Sequence, residues 1–218
     1  MKHLKILALA AVAAGVLTAI AGAGTASAGG TLCSVAPSPT NGPCSSASRW
    51  AVNTLLDFSL ESGTTTRLTD TDGNIIDTCT ESTIKGKLTS NPGGTTTATG
   101  ENTTIEWGNC TWTTDTVKLQ TGKLKLEAED DNGNSWLYAD EKIEVTIFIP
   151  LVGSCNYGVE SGTKLGTIKE GKGTGATFTA NAVATRMNET CPGPSTALWT
   201  ASYVMTEPSS TTLWVATS

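Results

Sequence analysis

The stretch TDTDGNIID, residues 69–77, places three aspartates and an asparagine around one glycine, a composition shared by calcium loops and hairpin turns. In the standard calcium loop, acidic ligands at positions one, three and five precede a glycine at position six. With Asp70 as position one, Asp72 falls at position three but Gly73 falls at position four, so the register fails. The pattern favours a hairpin turn with Gly73 at positive φ, and leaves Asp70, Asp72 and Asp77 as candidates for a weak surface calcium site.

Nucleophilic and metal chemistry is restricted by the histidine content. The only histidine is His3, which lies in an N-terminal segment that we expect to be removed. The rest of the chain therefore has no imidazole for a Ser-His-Asp or Cys-His system, or for a histidine-ligated zinc or copper ion. The glycine-rich GKGTG at residues 171–175 lacks the ending of a phosphate-binding loop. The sequence predicts a non-enzymatic protein that needs no cofactor, with calcium as the one alternative.

Carboxylates are the enzymatic alternative that remains, because glycoside hydrolysis uses two of them across a sugar. The densest supply lies between residues 127 and 144, at Glu127, Glu129, Asp130, Asp131, Asp140, Glu141 and Glu144. Glu127 and Glu129 fall on the polar face of an alternating segment, which is typical of solvated strand charges. A carboxylate-based glycan hydrolase is therefore the secondary hypothesis.

Tryptophan is the other residue type that indicates a ligand, because flat rings can stack on sugars. The six tryptophans are Trp50, Trp107, Trp112, Trp136, Trp199 and Trp214. Trp199 shares an alternating face with Ala201, Tyr203 and Met205, which favours the core. Trp112 and Trp136 lie in polar, turn-rich surroundings and are the candidates for ligand-facing aromatics.

The six cysteines have the number and spacing of a disulfide framework rather than of a metal site. There is no CxxC pair, so zinc binding is not favoured, and an even count in an exported chain indicates three disulfides. Sequence alone leaves many pairings open. We expect the sequential set, because neighbouring hairpins bring together strands that are close in sequence: Cys33 with Cys44, Cys79 with Cys110, and Cys155 with Cys191.

The N-terminus predicts export. Residues 1–28 combine a basic start, an apolar run and the sequence Ala26-Ser27-Ala28 before Gly29, which is the pattern of a cleaved signal peptide. Residues 29–48, rich in Pro, Ser and Gly, are expected to form an irregular arm pinned by two cysteines. Residues 49–218 are expected to form a single β domain. We therefore predict a secreted protein with no membrane span after removal of the signal.

The charge balance argues against a nucleic-acid partner. The formal net charge is −6, and it becomes −8 without residues 1–28, which contain two lysines and no acidic residue. Nucleic-acid binding depends on clustered Lys and Arg, which this chain lacks. The expected partners are an envelope glycan or another protein.

Period-two alternation dominates the sequence after Trp50. GKLKLEAE, residues 122–129, separates apolar from charged residues, and KIEVTIFI, residues 142–149, places Phe148 opposite its isoleucines, which predicts cover on both faces. No apolar stripe of helical period occurs. Many short strands between turns predict an all-β fold, either an antiparallel sandwich of jelly-roll or Ig-like type or a barrel. Further strands are expected at Val52–Leu60, Thr64–Thr69, Asn74–Thr80, Thr83–Thr89, Thr103–Trp107, Ala176–Val183, Ala197–Met205 and Thr212–Ala216.

Four stretches resemble an uncharacterised family of secreted β-rich proteins from actinomycete-type bacteria. They are CTESTIKGKLT from Cys79, TIEWGNC ending at Cys110, GTKLGTI from Gly162, and CPGPSTALWTASYVMTEPSSTTLWV from Cys191. The resemblance implies an exported all-β protein and attaches no activity, cofactor or catalytic residue.

Three functions are compatible with these features. The first is a non-enzymatic binding or structural module of the cell exterior or envelope, which rests on export, the β pattern and the missing histidine. The second is the carboxylate-based glycan hydrolase. The third is a calcium-dependent lectin or adhesion-like protein that uses the acidic turns.

Overall fold

The chain forms fourteen β-strands in the residues that a computed structural model describes, which are 30–36, 44–93, 97–111, 118–128, 134–149, 153–169, 176–208 and 213–216. The predicted signal peptide lies outside these residues. Within them there is no α-helix, and one 3-10 turn covers Ser46–Ser48. The strands are β1 Thr31–Cys33, β2 Leu55–Leu60, β3 Thr66–Thr69, β4 Ile75–Ser90, β5 Thr99–Cys110, β6 Lys118–Thr121, β7 Lys123–Ala128, β8 Asn134–Ala139, β9 Ile143–Ile149, β10 Gly153–Val159, β11 Lys164–Lys169, β12 Thr177–Arg186, β13 Thr196–Glu207 and β14 Trp214–Ala216.

The strands close into an antiparallel barrel. The wall runs β4, β5, β7, β8, β11, β12 and β13 through successive hydrogen-bonded pairs. Two short strands then close the gap between β13 and β4: β2 pairs with residues 83–87 of β4, and β3 pairs with residues 75–79. Both also pair with β13. The prediction of an all-β fold with disulfides is confirmed, and of its two alternatives the structure is the barrel.

One part of the barrel wall consists of two separate sets of three strands. Residues 177–180 of β12 pair with β11, whereas residues 185–186 of the same edge pair with β10. From β10 the sheet continues through β9 to β6, which lies beside β5. Two arcs, β7–β8–β11 and β6–β9–β10, therefore connect β5 to β12 at different heights of the barrel.

The barrel interior is apolar and contains an aromatic cluster. The rings of Phe58, Phe178, Trp199 and Tyr203 contact one another with centroid separations of 5.9 to 6.3 Å. Such pairs contribute about 0.5 to 1.5 kcal/mol beyond their burial. Along β12 the alternation is clean, with Ala182 buried and its neighbours exposed. This is the pattern of a strand with one face inside a barrel.

Gly166 allows β11 to pair closely with its neighbour β12. A Cβ at Gly166 would meet the Thr179 backbone oxygen and the Phe178 ring well inside contact distance. The register of β11 against β8 also shifts next to this residue. The absence of a side chain therefore allows two strands to approach where the wall bends.

A small cap of two strands lies across the barrel. β1 pairs with β14, and Leu32 and Val215 are buried in the main core. On the other face of the cap, Cys33, Cys44 and Ala216 form a separate cluster with Trp214. The expectation of an irregular arm over residues 29–48 is wrong in this part, because the short run Thr31–Cys33 finds a partner strand at the opposite end of the chain.

Asn91 attaches this cap to the barrel. Its buried side chain accepts a hydrogen bond from Leu32 N at 3.0 Å and donates to Leu32 O at 2.9 Å and to Trp50 O at 3.0 Å. The amide thus completes the hydrogen bonding of a backbone segment that water does not reach.

Asn91→Ala is expected to lower the free energy of unfolding by about 2 to 3 kcal/mol, because it leaves the buried Leu32 N–H without a partner and removes one hydrogen bond each from the Leu32 and Trp50 carbonyls. Urea denaturation measures the loss. The matched control is Asn181→Ala on the exposed face of β12, for which less than about 0.5 kcal/mol is expected. Equal losses in the two variants would contradict the role given to Asn91.

Three disulfides cross-link the fold, and they are the sequential pairs. Cys33 joins Cys44, Cys79 joins Cys110 between neighbouring strands β4 and β5, and Cys155 joins Cys191. No free cysteine occurs among the described residues. Disulfides of this number are typical of proteins in oxidising compartments outside the cytosol.

One face assignment from the sequence is wrong. Phe148 on β9 is 41% exposed, whereas Ile143 and Ile147 on the other face are buried. β9 is therefore covered on one side only, because none of the described segments forms a second layer outside the barrel at this position.

Candidate functional site

The barrel encloses an apolar cavity of about 140 Å³. Its aromatic walls are Phe58 on β2, Trp107 on β5, Tyr157 on β10, Phe178 on β12 and Trp199 on β13. Aliphatic side chains from both arcs of the wall supply nearly all of the remaining surface. Alternation along each strand directs these side chains inward, so the site is a product of barrel closure rather than of any one motif.

The cap forms part of the cavity wall. Leu32 of β1 and Leu213, just before β14, both line the cavity, and both are almost fully buried. The two residues come from opposite ends of the described chain, and Asn91 and the Cys33–Cys44 disulfide hold this region. Loosening of the cap would therefore change access to the cavity.

Three charged residues border the cavity along β4, β5 and β7, but their side chains lie on the outer face of the wall. Lys87 lies opposite the exposed Leu55 of β2 and opposite Glu101 of β5. Lys125 lies opposite Tyr138 of β8 and over its ring. On this face Lys87 Nζ is 2.9 Å from Glu101 Oε1, so the charged groups are directed away from the apolar interior.

A buried polar network lies behind the aromatic wall. The hydroxyls of Tyr203 and Ser82 are 2.8 Å apart, and Trp199 Nε1 donates to Thr66 Oγ1 at 3.1 Å. Burial raises the pKa of Tyr203, and smaller opposing contributions come from the side chains of Ser82, Thr66, Trp199 and Trp107, which surround its hydroxyl. The polar ends of Tyr203 and Trp199 are thus occupied, whereas Trp107 Nε1 is buried without a hydrogen-bond partner. Of these three residues, Trp107 and Trp199 line the cavity.

The three candidate calcium ligands differ in solvent exposure. Asp72 is exposed and Asp70 is partly exposed in the turn between β3 and β4, whereas Asp77 is buried on β4. Asp70 Oδ1 accepts hydrogen bonds from the backbone N–H groups of Asp72 and Asn74, and Oδ2 accepts from Asn74 Nδ2. The predicted hairpin turn is present, with Gly73 at φ +85°, and the Asp70 carboxylate holds it.

The hydrogen bond from the Asn74 side chain is the main cause of the lowered pKa of Asp70, and the backbone donors lower it further. A lowered pKa stabilises the turn above the ordinary aspartate range, and this contribution is lost as pH falls through the lowered pKa. NMR titration should show the Asp72 and Asn74 amides shifting only in that acid range, and Asp70→Asn should remove the transition. A transition at or above the ordinary aspartate pKa would contradict this interpretation.

One cluster within the described residues has the spacing of metal ligands: Asp77, Cys79 and Cys110. The two cysteines are joined as a disulfide, so neither sulfur is the thiolate that a metal would require. The cluster is therefore a structural link between the neighbouring strands β4 and β5.

Of the two tryptophans predicted to face a ligand, the structure describes one. Trp112 lies outside the described residues. Trp136 on β8 is partly buried, and the Lys164 ammonium lies over its ring, so this face is engaged in a cation–π contact. The tryptophans at the cavity are instead Trp107 and Trp199. Their position inside the barrel follows from strand alternation and barrel closure, for which the sequence has no local signal.

Four of the acidic candidates lie in the described residues; three of them take part in ion pairs, and the fourth, Asp140, is exposed. Glu127 pairs with Lys125, Glu141 with Lys123 at 2.6 Å, and Glu144 with Lys142 at 3.2 Å. The contact with Glu141 is the main cause of the raised pKa of Lys123. Residues 129–131 lie outside the described part. Of the described carboxylates, only Glu101 lines the cavity.

No helix in the described segments is both long and apolar enough to cross a membrane. The fold and the cavity together define the molecule as a disulfide-linked antiparallel barrel with an apolar interior site. No protein-family model, curated protein or solved structure matches this chain.

Proposed function

We propose that this chain is a secreted, non-catalytic binding protein whose binding site is the apolar cavity of the barrel. The supporting observation is the cavity itself, with about 140 Å³ enclosed by aromatic and aliphatic side chains. The predicted signal peptide and the three disulfides support a place outside the cytosol. Of the binding and structural roles that the sequence leaves open, the proposal chooses binding and locates the site inside the barrel.

The cost of an empty cavity supports a binding role. Protein interiors are packed as densely as organic crystals and contain few voids larger than a water molecule. Unfilled space costs about 24 cal/mol per Å³, so a cavity of this size costs about 3 kcal/mol. This is a large fraction of a typical stability of about 5 to 15 kcal/mol. A ligand that fills the space recovers much of that cost, and the free energy gained appears as affinity.

The lining also supports binding rather than hydrolysis. Glycoside hydrolysis uses two carboxylates on either side of the scissile bond. Among the described lining residues Glu101 is the one carboxylate, and it is paired with Lys87. The walls of the cavity are apolar and would exclude a hydroxyl-rich sugar, since each buried hydroxyl without a partner is costly.

The test is a titration of the purified, oxidised protein with toluene, read by tryptophan fluorescence and by calorimetry. Trp107 and Trp199 line the cavity, so we expect a saturable change with one site per chain. Burial of apolar surface should also give a negative heat-capacity change. The denatured protein is the control for nonspecific quenching. A fluorescence change that rises linearly with toluene, with no binding heat, would contradict the proposal.

A further inference from the structure

We infer that the ligand of this cavity is a compact, uncharged molecule of about six to ten non-hydrogen atoms, and that the site selects against ionised amphiphiles such as fatty-acid anions. The inference rests on the proposed binding function and names the chemical class of its ligand. It depends on the volume of the cavity, the pairing of its charged lining residues and the direction of its buried polar groups.

The volume sets the size of the ligand. A cavity of about 150 Å³ lined by Leu, Ile and Phe stays dry and binds benzene. The present cavity, at about 140 Å³, is of the same order and is also lined by aliphatic and aromatic side chains. A single ring or a short branched chain fits this space, whereas a long acyl chain does not.

The charged residues that border the cavity direct their side chains to the outer face of the wall, where they are paired. The Lys87 ammonium is 2.9 Å from Glu101, and the Lys125 ammonium is 3.0 Å from Glu127 and 5.5 Å from the centre of the Tyr138 ring. A ligand carboxylate inside the barrel would therefore reach neither lysine. Entering the cavity without such a partner would leave a buried, unpaired charge, which is strongly unfavourable.

Most buried polar groups around the cavity are likewise directed elsewhere. The hydroxyl of Tyr157, a lining residue, donates to Pro194 O at 3.0 Å. Trp199 Nε1, also of a lining residue, donates to Thr66. The exception among the described lining residues is Trp107 Nε1, an uncharged donor that is buried without a hydrogen-bond partner. The lining therefore presents mainly carbon atoms, which favours an uncharged ligand recognised by shape and dispersion.

The test compares matched neutral and ionised ligands at pH 7: toluene against benzoate, and 1-hexanol against hexanoate. The dissociation constant of each neutral member is expected to be at least tenfold lower than that of its partner. If neither member of a pair binds, the proposed function itself fails. If the carboxylates bind as tightly as the neutral molecules, the function stands and the inference about ligand class is overturned.

Discussion

Replacing Ala182 with leucine is expected to weaken toluene binding by at least about tenfold while the barrel stays folded. Ala182 lines the cavity, is 2% exposed, and lies opposite Trp199 in the pairing of β12 with β13. The larger side chain would occupy the space that the ligand needs. Filling a cavity commonly adds about 0.5 to 2 kcal/mol of stability, and overpacking removes about 1 to 3 kcal/mol. Calorimetric titration and thermal unfolding of the same sample separate lost binding from lost folding.

The control for this variant is the next residue on the same strand. Val183 is 55% exposed on the outside of the barrel, so Val183→Leu should leave both toluene affinity and Tm unchanged. If both variants weaken binding equally, the ligand does not occupy the cavity. If Ala182→Leu is folded and binds toluene normally, the cavity is not the binding site.

Removal of the Cys155–Cys191 disulfide is expected to produce the largest loss of stability. The bond joins residues 36 apart in sequence, and in the chain-entropy description closing such a loop contributes about 3 to 4 kcal/mol. A double change to alanine should therefore lower Tm by roughly 10 °C, since about 2 to 4 °C is lost per kcal/mol in a domain of this size. Thermal and urea unfolding under oxidising conditions measure the effect.

The cap disulfide is the internal comparison. Cys33 and Cys44 are only 11 residues apart, so their double alanine variant should lose about 1 kcal/mol less than the Cys155–Cys191 variant. The reverse order would show that the two bonds do not act mainly through the unfolded chain. Toluene association should also become faster in the Cys33 and Cys44 variant, because Leu32 of the cap lines the cavity.

Elements with clean alternation could be predicted from the sequence. β7 and β9 fall within the two segments with the strongest period-two patterns, and the Asp72-Gly73 turn joins β3 and β4 as expected. These features are local, because the alternation and the turn residues lie within one segment. Disulfide formation follows similarly from an even cysteine count in a chain with a predicted signal peptide.

Strands whose large residues face outward could not be predicted. On β8, the small residues Ser135 and Ala139 are fully buried, while Trp136 and Tyr138 lie on the outer face under lysine side chains. The usual rule that large aromatic residues mark the inside fails there. On β11, Leu165 and Gly166 are both buried beside a register shift, so its alternation is broken.

The long strand β4 was predicted as two strands for a related reason. Asp77 and Cys79 are buried in its first part, Ser82 and Ile84 in its second. The inward face thus changes from odd to even positions, and residues 80 and 81 are both exposed. A change of phase in a continuous strand has the same sequence pattern as a break between two strands.

The cavity itself depends on contacts far apart in the chain. Its wall requires β13 to meet β2 and β3, and its cap requires β1 to meet β14. A sandwich and a barrel share the same alternation along each strand, so the pattern could not choose between them. The volume of the cavity depends on how completely the inward side chains of all the strands fill the barrel, so no single residue in the sequence indicates it.

Methyl-resolved NMR of the oxidised protein during a toluene titration is the most direct test of the cavity as a binding site. The account predicts saturable shifts, and contacts between toluene protons and the methyl groups of Leu88, Ile105 and Ile147, which line the cavity. The exposed methyl groups of Val52 and Val183 should stay unchanged. Shifts confined to these exposed residues, or no saturable shift at any lining residue, would contradict it.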